Sequence, residues 1–181
     1  MVVGLASLNS GASTVKAHEA LVLHKSSARA RKASLPSASA AHKTYPPVPD
    51  LIMIGMDGIN IRLSERRGKV LLIDFWASWC PPCRRMFPTL NSLQAKYKNE
   101  DFEIIGISMD DGTTEDIGRL GKELGLNYTI ADGDTETEEA FDVRALPTSF
   151  LIDRKGRVRA VHRGIRNSMQ LQREIKRLLA E

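Results

Sequence analysis

The chain has 181 residues, and its hydrophobic fraction of 42% suffices for one folded domain with an extension. Its net charge of +4 comes from residues 1–49, which hold six Lys/Arg and one acid, so that the remainder carries about −1. A nucleic-acid-binding domain is therefore not expected, and no run approaches the ~18 apolar residues of a membrane span.

Residues 1–45 are rich in Ala and Ser, carry scattered basic side chains and have no aromatic residue before Tyr45. Such a segment cannot bury enough surface to offset its ordering entropy, so it is predicted to be disordered or cleaved. The composition is typical of an organellar transit peptide, whereas the apolar runs are too short for a secretory signal. An untargeted tail or a wrongly assigned start codon is the alternative. The folded domain is predicted to span residues 46–181.

A hairpin and a buried strand are the first predicted elements of this domain. Residues 51–55 and 59–63 flank Asp57-Gly58, which is a strong hairpin signal. After a turn at residues 67–69, the run from Val70 to Trp76 is nearly all apolar. That pattern indicates a central strand with both faces covered.

A long helix is predicted from Cys80 to about Lys98. Pro81 and Pro82 suit its first turn, where a missing N–H group costs nothing. Pro88 lies inside the predicted helix and is expected to kink it. The apolar positions that recur at helical spacing are Met86, Leu90, Leu93 and Tyr97.

The second half of the domain is predicted to alternate strands and helices. Strands are predicted at residues 102–108, 128–130, 149–153 and 158–162, and helices at residues 114–124, 135–141 and 168–180. Thr113 or Thr114 is predicted to cap the helix that starts at 114, and Gly125 to end it. This alternation indicates an α/β sandwich with a mixed sheet.

Two motifs in the chain resemble the thioredoxin fold. They are residues 67–84, RGKVLLIDFWASWCPPCR, and residues 146–153, LPTSFLID. Over about residues 46–180 the chain is most similar to the TlpA/ResA-like branch of thiol–disulfide oxidoreductases. The hairpin, the Pro-Pro dipeptide and an extra helix–strand unit at about 113–131 favour that branch. The resemblance implies a thioredoxin-like three-layer sandwich, with a four- to five-stranded mixed sheet and the Cys pair at its edge.

Cys80 and Cys83 are the only cysteines of the chain. A disulfide between residues three positions apart does not cross-link distant parts of the fold. Redox chemistry, half of a zinc site and inert packing therefore remain as explanations of the cysteine pair. A helix N-terminus and a Cys-x-x-Cys motif both favour the thiolate and typically lower a thiol pKa from about 8.5 to ~3.5–7.5. Cys80 is the candidate nucleophile and Cys83 the resolving thiol. Because His162 is the only His of the domain, no metal is expected, nor any cofactor beyond the redox-active Cys80–Cys83 disulfide.

Asp74 stands six residues before Cys80 in an otherwise apolar strand. Desolvation there is expected to raise its pKa, which suits a base that takes the Cys83 proton, directly or through one water, and later returns it. The alternative is a hydrated acid at a strand end, or one bonded to Lys69 or Lys96. The acid matches the pattern of thioredoxin itself, whereas many TlpA-like proteins carry Asn here. Some of those relatives also carry an acid between the cysteines, where this chain has proline.

The resemblance also implies a substrate site around the Cys pair. Pro147 resembles the cis-proline of the family, and its missing N–H leaves the backbone of Leu146 to pair with an extended substrate segment. Trp79 is predicted to cover the site, and Pro81 and Pro82 are predicted to contact the substrate. Taken alone, Leu-Pro-Thr would only be the start of a strand.

Thiol–disulfide exchange is the leading hypothesis, with this chain as the reductant of protein disulfides. The family alone implies an apocytochrome awaiting haem as a client. Protein disulfide substrates and an upstream thiol reductant are the expected partners, and a monomer is expected. Relatives mostly work outside the cytoplasm, so the periplasm or cell envelope is expected, with an organelle or the cytoplasm as alternatives.

Two other functions remain open at the level of sequence. One is a peroxiredoxin-like peroxidase, although that group carries Thr three residues before the reactive Cys, where this chain has Ala77. The other is a non-catalytic thioredoxin-fold module that binds peptides in its cleft. Peroxide consumption would distinguish the first, and an unchanged phenotype without Cys80 would indicate the second.

Overall fold

The computed structural model describes residues 46–181 of the chain. The segment predicted to be disordered or cleavable, residues 1–45, lies outside the described residues, so the predicted domain boundary stays a prediction. Within residues 46–181, no helix combines the length and the apolar character needed to cross a bilayer. The described elements, in chain order, are β1 (Ile52–Ile54), β2 (Asn60–Arg62), a 3-10 helix (Leu63–Arg66), β3 (Val70–Trp76), α1 (Pro81–Tyr97), β4 (Phe102–Ser108), α2 (Thr114–Glu123), β5 (Thr129–Asp132), α3 (Thr135–Ala140), β6 (Thr148–Ile152), β7 (Val158–Arg163) and α4 (Ser168–Leu179).

Strand β3 is the centre of a five-stranded sheet in the order β5-β4-β3-β6-β7. The pairs β3–β4 and β4–β5 are parallel, whereas β3–β6 and β6–β7 are antiparallel. All seven residues of β3 are buried, as the apolar run predicted. Strands β1 and β2 pair separately as an antiparallel hairpin. The predicted mixed sheet and N-terminal hairpin are therefore confirmed.

One face of the sheet packs against the hairpin and the segment that follows α3. Leu71, Ile73 and Phe75 of β3 point to this side, where they join a continuous apolar core. The rings of Phe75, Phe141 and Phe150 meet edge to face, with centroids 4.9 to 5.8 Å apart. Such contacts add about 0.5–1.5 kcal/mol per pair to the burial of the rings.

The opposite face of the sheet is covered by α1 and α4. Val70 and Leu72 of β3 pack here with apolar residues of both helices. Because side chains alternate along a strand, Asp74 and Trp76 point to this same face. With the layers on its two faces, the sheet forms a three-layer sandwich. The alternation also places Asp74, the one acid of β3, on the face covered by the helix that carries the cysteines.

Two elements differ from the sequence prediction. Strand β5 runs on to Asp132, two residues beyond its predicted end, because Ala131 and Asp132 pair with Ile107 and Ser108 of β4. Ala and Asp have low strand propensity, so a neighbouring strand decides their conformation. The 3-10 helix that follows β2 was not predicted. Pro88 lies inside α1, which continues past it as one helix.

Thr113, rather than Thr114, caps α2. Its Oγ1 accepts a hydrogen bond from Asp116 N at 3.2 Å, and its own N–H donates to the Asp116 carboxylate at 3.3 Å. We expect Thr113→Ala to lower the free energy of unfolding by about 1 kcal/mol, because the hydroxyl that accepts the Asp116 N–H is lost. Urea denaturation measures the loss, with Thr114→Ala as the matched control. Equal losses in the two variants would contradict this assignment of the cap.

Candidate active site

The loop between β3 and α1 places Cys80 at the start of the helix. Cys80 is the N-cap residue of α1, and its Sγ accepts a hydrogen bond from Cys83 N at 3.3 Å. Pro81 and Pro82 have no N–H group, so the first free N–H of the helix is the one that points at this sulfur. The positive end of the helix dipole therefore meets Cys80, and both effects favour its thiolate.

Cys80 and Cys83 are joined in a disulfide whose two sulfurs have different surroundings. Cys83 is 0% exposed and packs with Trp76 and Phe87, whereas Cys80 is 4% exposed and lines a surface cleft. An incoming thiol or disulfide therefore reaches Cys80 and not Cys83. This asymmetry is what separates an attacking from a resolving cysteine.

Asp110, which no sequence pattern singled out, holds the loop that precedes Cys80. Its carboxylate accepts hydrogen bonds from Ser78 N at 2.9 and 3.1 Å and from Ser78 Oγ at 2.6 Å. Ser108 Oγ of β4 also donates to it, at 2.9 Å. These bonds tie the loop to the end of β4, and so they position Trp79 and Cys80 relative to the sheet.

Asp74 is completely buried in β3. Ser149 Oγ of β6 donates a hydrogen bond to Asp74 Oδ1 at 2.6 Å, whereas Asp74 Oδ2 is buried without a hydrogen-bond partner. Burial raises the pKa of Asp74 from 3.8 to about 7, and the Ser149 hydrogen bond opposes part of that rise. A carboxyl group with this pKa changes its charge near neutral pH.

Both lysines that were considered as partners of Asp74 bond elsewhere. Lys69 Nζ donates to Glu103 at 2.9 Å, and Lys96 Nζ donates to Gln172 at 2.5 Å. The hydrogen bond to Asp74 that the structure records comes from a neutral hydroxyl instead. The alternative of an acid neutralised by one of these lysines is therefore wrong.

Asp74 lies beneath the helix that carries the disulfide. Trp76, two residues further along β3 and so on the same face, belongs to the same buried apolar cluster as Cys83. The structure thus brings together, on one side of the sheet, the buried acid and the buried sulfur. Their separation of nine positions in sequence is bridged by the end of a strand and the first turn of a helix.

Cys80 opens into a cleft of about 520 Å³. Of the predicted substrate-contact residues, four line it: Trp79, Pro81, Pro82 and Leu146. Pro147 is buried behind them, and the Leu146–Pro147 peptide bond is cis. Trp79 is exposed on the rim, at 68%. The lining residues that no sequence pattern indicated are Met109, Glu138, Val143, Arg144 and Ala145.

Within residues 46–181, no group of three or more His, Cys, Asp or Glu side chains is arranged to hold a metal ion. His162, the ligand considered with the Cys pair, is instead 2.7 Å from Glu174 Oε2.

Comparisons with known proteins agree with this geometry. The Redoxin family model matches residues 33–177. Thiol-disulfide oxidoreductase ResA of Geobacillus kaustophilus is 31% identical over 71% of this chain and 74% of its own, and that of Bacillus thuringiensis subsp. konkukian is 33% identical over 72% and 75%. A solved thiol:disulfide interchange protein of the thioredoxin family from Chlorobium tepidum superposes with a TM-score of 0.69, at 28% identity over 77% of this chain and 99% of that one.

Proposed function

This chain belongs to the Redoxin family and is a thiol–disulfide oxidoreductase of the ResA-like type, and we propose that it reduces disulfides in other proteins. The supporting observation is the asymmetry of its own disulfide. Cys80 lines an open cleft, whereas Cys83 is enclosed on the side of the sheet that holds Asp74. A pair built in this way suits the sequential attack and release of a bound client.

In the proposed reaction, the Cys80 thiolate attacks one sulfur of the client disulfide. A Cys80–client mixed disulfide forms, and the other client sulfur leaves as a thiolate that takes a proton from water. The Cys83 sulfur, deprotonated by Asp74, then attacks Cys80 Sγ and releases the second client thiolate. Two electrons pass to the client, and the Cys80–Cys83 disulfide remains.

Asp74 suits the proton transfer in the second step. Its pKa of about 7 means that near neutral pH it is ionised in part of the molecules and can accept a proton from Cys83. When an upstream thiol reductant opens the Cys80–Cys83 disulfide again, the same carboxyl group returns the proton. The buried carboxyl is therefore proposed as a reversible proton store for Cys83.

The cleft supports binding of an extended client segment. Its rim combines the apolar surfaces of Trp79, Pro82 and Leu146 with Glu138 and Arg144, which supply one charge of each sign. Backbone pairing with Leu146 beside Pro147 is proposed to hold the segment in register, while the apolar rim contacts its side chains. The adjacent client sulfur then lies against Cys80.

An apocytochrome awaiting haem is the proposed client, on the basis of family resemblance. The proposal includes an upstream thiol reductant, a monomeric protein, and a compartment outside the cytoplasm. A peptide with an oxidised Cys-x-x-Cys-His segment tests the client directly. We expect its reduction to be at least about tenfold faster than that of a scrambled peptide with the same disulfide spacing, and equal rates would contradict this choice of client.

Insulin reduction tests the general activity. Wild-type protein with dithiothreitol as donor is expected to accelerate insulin precipitation, and the Cys80→Ser variant is expected to match the donor alone. A parallel measurement of peroxide consumption addresses the peroxidase alternative, since a peroxidase would consume peroxide with the same donor. Acceleration by Cys80→Ser would overturn the proposed role of the sulfur.

A further inference from the structure

Trp79 stands on the rim of the cleft next to Cys80, and 68% of it is exposed. A side chain this exposed has few protein contacts to hold it, so the position of its ring depends on the backbone that carries it. A large apolar side chain contributes most to the binding of a partner when it is already ordered, since no freedom is then lost on association. The anchors of the loop that carries Trp79 therefore decide how well the rim binds a client.

Cys80 and Trp79 are neighbours in the chain but are held by different groups. Cys80 is tied to α1: it caps the helix, its Sγ accepts the N–H of Cys83 at 3.3 Å, and the disulfide joins it to the same residue. On the other side of Trp79, Ser78 is held by Asp110 of the segment after β4. Without Asp110 the sulfur thus keeps its helix anchor, whereas the backbone of Trp79 loses the anchor on its N-terminal side.

The Asp110 carboxylate binds both the backbone and the side chain of Ser78. It accepts the Ser78 N–H with both oxygens, at 2.9 and 3.1 Å, and the Ser78 hydroxyl at 2.6 Å. Ser108 Oγ donates to it at 2.9 Å. Hydrogen bonds to a carboxylate are shorter than those between neutral groups and roughly twice as strong. Because one carboxylate holds two groups of Ser78, the loop cannot turn about this residue while the bonds persist.

Asp110 is itself attached to a fixed wall of the cleft. It follows Met109, which lines the cleft and whose N–H donates to Trp76 O at 2.8 Å. A Cβ atom on Gly133 would lie 2.7 Å from Met109 Sδ and 2.6 Å from Ile107 Cγ2. The thioether of Met109 therefore lies in space that a side chain at position 133 would fill. The wall is held by the sheet on one side and by this close packing on the other.

We propose that Asp110 is a positioning residue for client recognition: through Ser78 it holds Trp79 beside the Met109 wall, and it thereby makes the site select protein disulfides over small ones. A protein client contacts the rim as well as the sulfur, whereas a small disulfide contacts little more than the sulfur. Without the Asp110 bonds, a protein client has to order the loop and the ring when it binds, which weakens association. The effect on selectivity rests on the proposed reduction of protein disulfides.

The order of Trp79 is measured directly by ¹⁵N relaxation of its backbone and indole N–H groups in the disulfide form. In Asp110→Ala we expect the backbone order parameter of Trp79 to fall from about 0.85 to below about 0.6, with a parallel fall for its indole. Trp76, which is 0% exposed, is the control within the same molecule and is expected to stay rigid. An unchanged Trp79, or an equal loss of order at both tryptophans, would overturn the proposal.

Selectivity is measured as the ratio of kcat/KM for insulin to kcat/KM for hydroxyethyl disulfide. We expect Asp110→Ala to lower this ratio by about tenfold, the scale of ordering a large side chain and its loop on association. Ser78→Ala keeps the backbone N–H bond to Asp110 and is expected to lower the ratio less. Ser78→Thr keeps the hydroxyl and is expected to restore it. Asp111→Asn is the matched control, because it removes a neighbouring exposed charge.

Three results of the selectivity measurement contradict the proposal. They are an unchanged ratio in Asp110→Ala, an equal change in Asp111→Asn, and an equal loss of turnover on both substrates, which would place the effect of Asp110 at the sulfur. Ser78→Ala leaves the carboxylate and its Ser108 bond in place, so it tests the same link if Asp110→Ala folds poorly. The relaxation measurement needs no turnover, so its result is separate from that of the reductase assays.

Discussion

Cys83→Ser is expected to trap this protein on its client. The variant keeps the Cys80 thiolate, so the first attack still forms a mixed disulfide, but it has no second sulfur to resolve it. Insulin turnover is expected to fall by roughly 10³-fold or more, the scale seen when a reacting side chain is removed. When the reduced variant is mixed with oxidised client in the absence of dithiothreitol, a covalent complex between protein and client is expected to accumulate and to be visible on non-reducing gels.

Cys80→Ser is the matched control for this trap. It removes the sulfur that lines the cleft and leaves Cys83, which is fully buried. We expect the same loss of turnover with no covalent complex, and mass spectrometry of the client adduct identifies the linked cysteine. A complex through Cys83 in the Cys80→Ser variant would mean that the assigned order of attack is wrong.

Asp74→Asn is expected to make the protein more stable at alkaline pH. The folded-state pKa of Asp74 is about 7, against 3.8 for an aspartic acid in its ordinary, unburied state. Below about pH 4, Asp74 is protonated in both the folded and the unfolded protein. As the pH rises from 4 to 7, the unfolded chain releases this proton but the folded protein keeps it, so the free energy of unfolding falls. Above pH 7 this loss reaches at most about 4 kcal/mol.

The stabilisation by Asn is therefore largest at pH 8 and shrinks towards pH 4. Urea denaturation of the disulfide form at both pH values measures it. Asp111→Asn is the control, because Asp111 is exposed and its substitution is expected to give no comparable pH-dependent difference. A stability difference between Asp74→Asn and wild type that does not change with pH would contradict the raised pKa.

The same substitution is expected to slow turnover near neutral pH. In the wild type, the rate is expected to rise as Asp74 ionises around pH 7, because only the carboxylate accepts the Cys83 proton. In Asp74→Asn that rise is expected to disappear, since the amide cannot act as a base. An unchanged rate across pH 6–9 would exclude this role for Asp74 while leaving the cysteine chemistry intact.

Local sequence was informative where a residue's surroundings follow from its neighbours in the chain. The apolar run from Val70 to Trp76 had to be a covered central strand, and Asp74 within it had to be desolvated whatever its partners. Cys80 before two prolines likewise had to meet a helix N-terminus. Each of these inferences needed only the periodicity of the backbone and the chemistry of one side chain.

The partners of those residues could not be found in this way. Ser149 is 75 positions from the Asp74 that it contacts, and Ser78 is 32 positions from Asp110. Gly106 and Tyr128 meet Trp76 only because β3 and β4 are neighbours in the sheet. Short polar residues and glycines occur in many contexts, so nothing in their local pattern marks these particular ones.

By itself, then, the amino-acid order determined the reactive pair, the acid on the strand before it and the kind of fold that holds them. The tertiary structure decided which neutral groups surround that acid, which loop is held beside the sulfur and which residues shape the cleft. The physical reason is that hydrophobic periodicity and helix-end chemistry act within a few residues. Hydrogen-bond partners and buried space depend on strand order and packing, which only the folded chain defines.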